Sequence, residues 1–483
     1  MRRTLWSVIV AIVAASMVPG VAAATDPLPW GACPADVTGP GLQCTTLDVP
    51  LDYRNPDGPQ IQIAVSRLKS SAPAQRRGIL LTNTGGPGGA GLNFPADLAR
   101  LGLPQNVLDS YDVIGFDPRG VGHSSPVTCA LTPAQQTSNI PPYARDPIDV
   151  AQRSAAVKNI AHQCGTSATG SMLPFINTAN TARDMDRIRA ALGEEKLSYH
   201  GISYGTYLGA VYASLFPDRT DRVVLDSAAG PGGFDSTHSR RLAEGFQERF
   251  PDFAAFLAAH PEYGLGGTLE QVTAKYYELA AELDAIPNPA GGGYGALFRQ
   301  ANFGMLYFDK TLPTLAEVWR AADTGQAGDT PPAPPDQDNY LSSQLYVVCN
   351  DSAWPKSELT YQGNVAVDRV RYPMFGAAAA NIWPCADWPD PVEPSVQIND
   401  RGPSNILIVQ NLRDPATPLS GARELQRALG DRARMVTADQ GGHLAYLFKD
   451  NTCLNDSVTT FLATGQRPQQ DVACAAEPAP AGG

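Results

Sequence analysis

"LSYHGISYGTYLGAVYASLFP", residues 197–217, sets Gly201, Ser203 and Gly205 between an apolar strand-like run and an apolar helix-like one. A strand turning sharply into a helix forces the corner residue into a strained backbone, and side chains at 201 and 205 would collide with neighbouring chain. Ser203 would then stand off the sheet edge at a helix N-terminus, where backbone N–H groups can stabilise an oxyanion. The plain alternative is a serine that caps a helix. A Gly-x-Ser-x-Gly arises easily by chance in a chain with 45 glycines, so the rest of the sequence has to decide.

Short apolar strands alternate with helix-like runs on both sides of that corner. "GILLTNTGGPGGAG" (78–91) and "YDVIGFDPRGVGHSSP" (111–126) read as strands running into turns, and "TANTARDMDRIRAALG" (178–193) as a helix ending on a glycine. After the serine come the strand "DRVVLDSAAGP" and, much later, the strands "NILIVQNLRDPATP" and "ARMVTADQGGHL", with the helices "LSGARELQRALG" and "VTTFLATG". This pattern predicts an α/β fold, a mostly parallel sheet with helices on both faces. "CTTLDVPLDY" and "IQIAVSRLKS" alternate with period two and predict an antiparallel leading pair. The alternation breaks between about Asp235 and Arg401, where helix-like runs dominate and "DTGQAGDTPPAPPDQD" reads as a solvated loop. The expected organisation is core 25–234, a mainly helical cap inserted at 235–400, and core again at 401–483.

A serine hydroxyl needs a base, and the chain has six histidines. His162, His238 and His260 lie in loop or surface-like helical contexts, and His200 is too close in sequence to reach back to Ser203. His123 lies in a loop that can approach the site, but no strand delivers it. His443 follows the last apolar strand in a "GGH" turn and is the expected base. The orienting acid belongs at a strand end between serine and histidine in chain order. Asp414 fits, on the strand nearest the histidine-bearing one; Asp226 competes, at the end of "RVVLD". Thr417 either steadies the Asp414 carboxylate or is a turn hydroxyl. "NTGGPGGAG" suits the other half of an oxyanion hole, with the backbone N–H groups of Gly86 and Tyr204 as donors, and carries no nucleotide fingerprint.

The chain begins "MRR", continues with the apolar "LWSVIVAIVAASMV" and reaches Ala22-Ala23-Ala24, the pattern of an export signal over residues 1–24. The eight cysteines all follow it, and an even number in an exported chain predicts disulfides. Of about a hundred possible pairings, nearest neighbours close the shortest loops: Cys33–Cys44, Cys129–Cys164, Cys349–Cys385 and Cys453–Cys474. Zinc is the competing use, without a Cys-x-x-Cys to support it. A net charge of −12 argues against nucleic acid.

Taken in order, "TGGPGG", "DPRGVGHS", "GISYGTYLGAVYASLFP", "DPATP" and "GGH" resemble the proline iminopeptidase-like branch of the α/β-hydrolases, and within it the secreted tripeptidyl aminopeptidase-type hydrolases of actinobacteria. The resemblance covers about residues 47–462 and is diffuse through the insertion. It implies an α/β-hydrolase fold and a serine peptidase with Ser203 as nucleophile, Asp414 as acid and His443 as base, and with Gly86 and Tyr204 at the oxyanion hole. Thr84 stands where proline iminopeptidases carry a histidine before their glycine loop, which turns the expectation from strict proline specificity to the broader peptidase branch. Such an enzyme is expected to act as a secreted monomer, without cofactor, metal or membrane partner, on peptides with a free N-terminus. Glu244, Glu248 and Asp351 are candidates for meeting the α-ammonium, with solvated surface acids as the alternative. A secreted esterase or amidase with the same triad is the rival reading.

Overall fold

The computed structural model describes residues 28–136, 138–286, 293–325 and 337–477. The predicted export signal and most of the Pro/Gly-rich loop lie outside these residues. Nine strands form one sheet in the order β1-β2-β4-β3-β5-β6-β7-β8-β9. β1 (Leu42–Pro50) and β2 (Gln60–Leu68) are the expected antiparallel pair, and β2 is also antiparallel to β4 (Tyr111–Phe116). From β4 onward every pairing is parallel, through β3 (Gly78–Asn83), β5 (Leu197–Ile202), β6 (Thr220–Asp226), β7 (Ile406–Arg413), β8 (Ala433–Gly441) and β9 (Val472–Cys474).

The strands read as unbroken apolar runs because both faces are covered. Ile79, Leu81, Val223, Leu225, Ile406 and Ile408 face one helical layer, whereas Leu80, Val224, Leu407 and Val409 face the other. The second layer holds α1 (Phe94–Arg100), α2 (Gln105–Ser110) and, late in the chain, α14 (Thr452–Thr464), through Leu98, Val107 and Phe461. The first holds α4 (Thr178–Ala191), α5 (Tyr204–Leu215) and α13 (Leu419–Leu429), through Met185, Leu208 and Leu425. α3 (Pro147–Thr166) precedes them in sequence and divides its packing, with Ile160, Ala161 and Cys164 in the first layer's cluster and Val150 and Val157 turned elsewhere.

Between β6 and β7 all described elements are helical: α6 (Ser236–Ala259), α7 (Leu269–Asp284), α8 (Tyr294–Met305), α9 (Leu312–Asp323), α10 (Asp338–Asp351), α11 (Glu358–Arg371), the short α12 (Gly376–Ala379), and single 3-10 turns. These helices have a core of their own. Phe246, Phe250 and Phe253 lie on one face of α6 and pack against Tyr276, Phe298 and Trp319; each buried Phe contributes roughly 1.5–3 kcal/mol. α10 is different, since Leu341, Leu345 and Tyr346 pack into the cluster on the sheet. α3 is also displaced from the expected boundary: its Val150 and Val157 pack with Tyr361, Val365 and Ala377, so a helix from the early part of the chain completes the helical layer.

All four nearest-neighbour disulfides are present. Cys453–Cys474 ties the three-residue β9 to α14. Among the described residues no helix is long and apolar enough to cross a membrane.

Candidate active site

β5 ends at Ile202 and α5 begins at Tyr204, so Ser203 alone makes the corner, with φ 56° and ψ −124°. A non-glycine residue holds that conformation only where its surroundings over-determine it. Here the Ser203 N–H donates to the Asp226 carbonyl at 2.9 Å, and the Thr206 hydroxyl donates to the Ser203 carbonyl at 2.6 Å. The flanking glycines answer to space. A Cβ at 201 would lie 2.5 Å from the Gly205 carbonyl oxygen, and one at 205 would lie 2.7 Å from Asn83 Oδ1. Gly85 approaches just as closely: its Cβ would come within 2.6 Å of the Ile202 carbonyl oxygen and 3.3 Å of the Tyr204 nitrogen. The glycine loop is thus laid against the first turn of α5. Tyr204, as first residue of that helix, has no intrahelical acceptor for its N–H, and Gly86 lines the cavity that opens beside Ser203.

His443 enters the same cavity from the loop after β8. Its Nδ1 lies 3.0 and 2.9 Å from the two Asp414 oxygens, with both residues buried. Asp414 is itself fixed. Oδ1 accepts from the Ala416 and Thr417 N–H groups at 2.8 and 2.9 Å, and Oδ2 accepts from the Thr417 hydroxyl at 3.0 Å. The histidine loop is clamped from three sides. Asn411 Nδ2 donates to the carbonyls of Gly442 and Leu444, the His443 N–H donates to the Tyr307 carbonyl at 2.7 Å, and the Tyr307 ring meets the imidazole edge-on at 5.1 Å.

Asp226, the competing acid, is occupied elsewhere: its carboxylate accepts from the Ala445 and Tyr446 N–H groups at 3.0 and 2.8 Å, while the Ser227 hydroxyl accepts from Leu444 N–H. It holds the loop that carries His443. Asp117, at the start of "DPRG", does the same for the glycine loop, accepting from the N–H groups of Gly91, Leu92 and His123.

The other histidines divide differently from the sequence reading. His123 pairs with Asp36, His260 with Glu262, and His162 is exposed. His200 is sealed between Phe94 and Tyr446. His238 is a correction. The sequence places it in a surface-like helical context, but it is 3% exposed, lines the cavity and packs its tilted ring against Phe234 at 4.1 Å. The reason is that the first turn of α6 is pressed down onto the core rather than standing in solvent. Burial holds its imidazole far below the ordinary value, at about 3, and Arg241 and His443 push the same way.

The carboxylate candidates do not meet at Ser203. Glu244 lines a separate groove with Arg240 and Asp368, and Glu248 is exposed. Their helix instead presents His238, Ser239 and Leu242 to the cavity. Asp351 lies beneath the corner: it accepts from the Thr178 N–H and hydroxyl at 2.7 and 2.6 Å, and Thr178 Oγ1 is in turn 2.5 Å from the Tyr204 hydroxyl. Low-dielectric packing pushes its carboxyl up to about 7. The cavity itself holds about 260 Å3 and is walled by aromatic side chains such as Phe234, Tyr307, Trp354 and Trp383, with no carboxylate among its described lining residues.

A serine held at a strand-to-helix corner, opening onto a cavity shared with a carboxylate-paired imidazole, on the edge of a mostly parallel sheet covered on both faces: these features define a serine hydrolase of the α/β-hydrolase fold. Residues 372–474 match the TAP-like protein family profile. The tripeptidyl aminopeptidase of Streptomyces lividans is 37% identical over 488 residues, which cover 95% of this chain and 88% of that protein. Carboxylesterase B of Mycobacterium tuberculosis is 31% identical, over 95% and 92% of the two chains. Among solved structures, the proline iminopeptidase of Mycobacterium smegmatis aligns over 86% of this chain and 97% of its own, at 15% identity and a TM-score of 0.41. The chain belongs to the tripeptidyl aminopeptidase family of α/β-hydrolases.

Proposed function

We propose that the protein is an exported aminopeptidase of the tripeptidyl type, working through an acyl-enzyme on Ser203. In this reading Ser203 Oγ attacks the scissile carbonyl while His443 takes its proton at Nε2, with Nδ1–H held by Asp414. The N–H groups of Gly86 and Tyr204 receive the oxyanion. The proton passes from His443 to the leaving amine, and water then releases the acyl group. The observation that carries the reading is the buried His443–Asp414 pair opening onto the same cavity as Ser203. The helices of 235–400, joined by α3, act as the cap, and the 37% identity to a tripeptidyl aminopeptidase supports release of short N-terminal peptides. Four disulfides support export behind a signal at 1–24.

The lining leaves neutral oxygens, rather than Glu244, Glu248 or Asp351, to meet an α-ammonium. That same feature, with the carboxylesterase relative, favours the second reading, an esterase acting on apolar acyl groups. A tripeptidyl p-nitroanilide, its N-acetylated form and a short p-nitrophenyl ester separate the two. The expected result is turnover of the free peptide, a loss of about 100-fold in kcat/KM on acetylation, and no turnover of any of the three by a folded Ser203→Ala protein. Equal cleavage of free and blocked peptides ends the exopeptidase reading in favour of an amidase, cleavage of the ester alone transfers the assignment to the esterase, and normal rates with Ser203→Ala end all of these.

A further inference from the structure

α3 carries a charge that no described residue answers. Arg153 lines a cavity of about 460 Å3 that shares Asn139, Ile140, Gln344 and Trp383 with the cavity at Ser203. Its guanidinium makes no hydrogen bond or ion pair with any described residue, and its Nε is shut away from solvent with no partner. Three arginines that are buried more fully meet carboxylates, Arg119 at Asp184, Arg249 at Asp252 and Asp309, and Arg299 at Asp284, and a fourth, Arg432, meets backbone carbonyls. Desolvation lowers the Arg153 guanidinium to about 10, which leaves it charged at neutral pH. No carboxylate lines this second cavity among the described residues.

A desolvated, unpaired guanidinium is costly unless something completes it, and its planar fork matches a carboxylate. The same charge repels an ammonium. We propose that the cavity around Arg153 is a subsite for a substrate carboxylate, supplied either by the C-terminus of a short peptide or by an Asp or Glu side chain. The subsite distinguishes the two ends of a short peptide, since it accepts the anionic end and rejects the free N-terminus. This rests on the peptidase reading of the Ser203 cavity.

The test compares kcat/KM for one short peptide as its free acid, as its C-terminal amide, and as the amide with an internal Gln changed to Glu. The ratios between peptides do not depend on how much of a preparation is active. Wild-type protein is expected to favour at least one anionic peptide over the neutral amide by about 10–100-fold, the range of a charge-assisted hydrogen bond. Preference for the free acid marks the C-terminus as the source, and preference for the Glu peptide marks the side chain. Arg153→Gln is expected to bring the ratio within about twofold of one, and Arg153→Lys to keep part of it. Wild-type ratios near one for both anionic peptides, or an Arg153→Gln ratio equal to the wild-type one, overturn the inference. Calorimetric binding of the same peptides to Ser203→Ala, with and without Arg153→Gln, needs no turnover. A charge preference in binding without hydrolysis by the wild-type protein sinks only the peptidase reading; hydrolysis without charge preference sinks only the carboxylate subsite.

Discussion

In the proposed mechanism Asp414 sets which nitrogen of His443 carries the proton. Its two oxygens are met by the Ala416 and Thr417 N–H groups, the Thr417 hydroxyl and His443 Nδ1, an acceptor site that fits the Nδ1–H tautomer and, in the proposed mechanism, frees Nε2 to act as base. Asp414→Asn keeps the shape but turns a donor toward Nδ1. The expected result is a fall in kcat of about 10^4 with KM little changed and an unaltered circular dichroism spectrum; a fall below tenfold would remove Asp414 from the mechanism. Chain order alone left Asp226 open beside it, because both aspartates end parallel strands. Only the folded loop shows Asp226 spent on Ala445 and Tyr446 N–H and Asp414 on the imidazole. Glu244 and Glu248 miss the cavity for a related reason: a helical four-residue spacing places them together, but says nothing about which face the helix turns to the cavity.

At the scale of elements, the parallel strands were legible because burial on two faces leaves an apolar run with sharp ends. β9 was not, since three residues give no period to read. Neither was the packing of α3 under the cap helices, which depends on partners more than 200 residues later. The junction of β4, β1 and α4 rests on Arg119. Its side chain donates to both oxygens of Asp184 at 2.7 and 2.6 Å and to the Leu51 and Phe175 carbonyls, with neither charge exposed. Removing one partner leaves the other charge buried and alone. Arg119→Met is expected to lower unfolding free energy by about 3–5 kcal/mol in denaturant titrations, and Arg119→Met combined with Asp184→Leu to recover much of it. A loss under 1 kcal/mol would mean the pair contributes no more than a surface ion pair.

Over the whole molecule, the cavity exists because a helical layer sits on the sheet edge, and His238 lies at that seam. The imidazole is held neutral by burial, with its folded value near 3 against an ordinary 6.5. A depressed folded pKa means stability that is complete above about 6.5 and lost as pH falls toward 3, because the unfolded chain takes the proton first. His238→Phe keeps a ring against Phe234 and cannot titrate. Between pH 7 and 3.5 the wild-type protein is expected to lose on the order of 4 kcal/mol more than this variant. Parallel pH–stability curves would show that His238 protonates freely in the folded state.

The primary chain by itself determined the sheet class, the strained corner at Ser203, the four disulfides and the identity of the histidine brought to that corner. Each of these is written in local pattern, chain order or short loop closure. Tertiary structure alone decided which acid meets the imidazole, that His238 is interior, that Glu244 and Glu248 face away, and that Arg153 has no partner among the described residues beside the Ser203 cavity. Those outcomes depend on which helix face is turned inward and on contacts between residues hundreds of positions apart, for which a linear sequence carries no periodic signal.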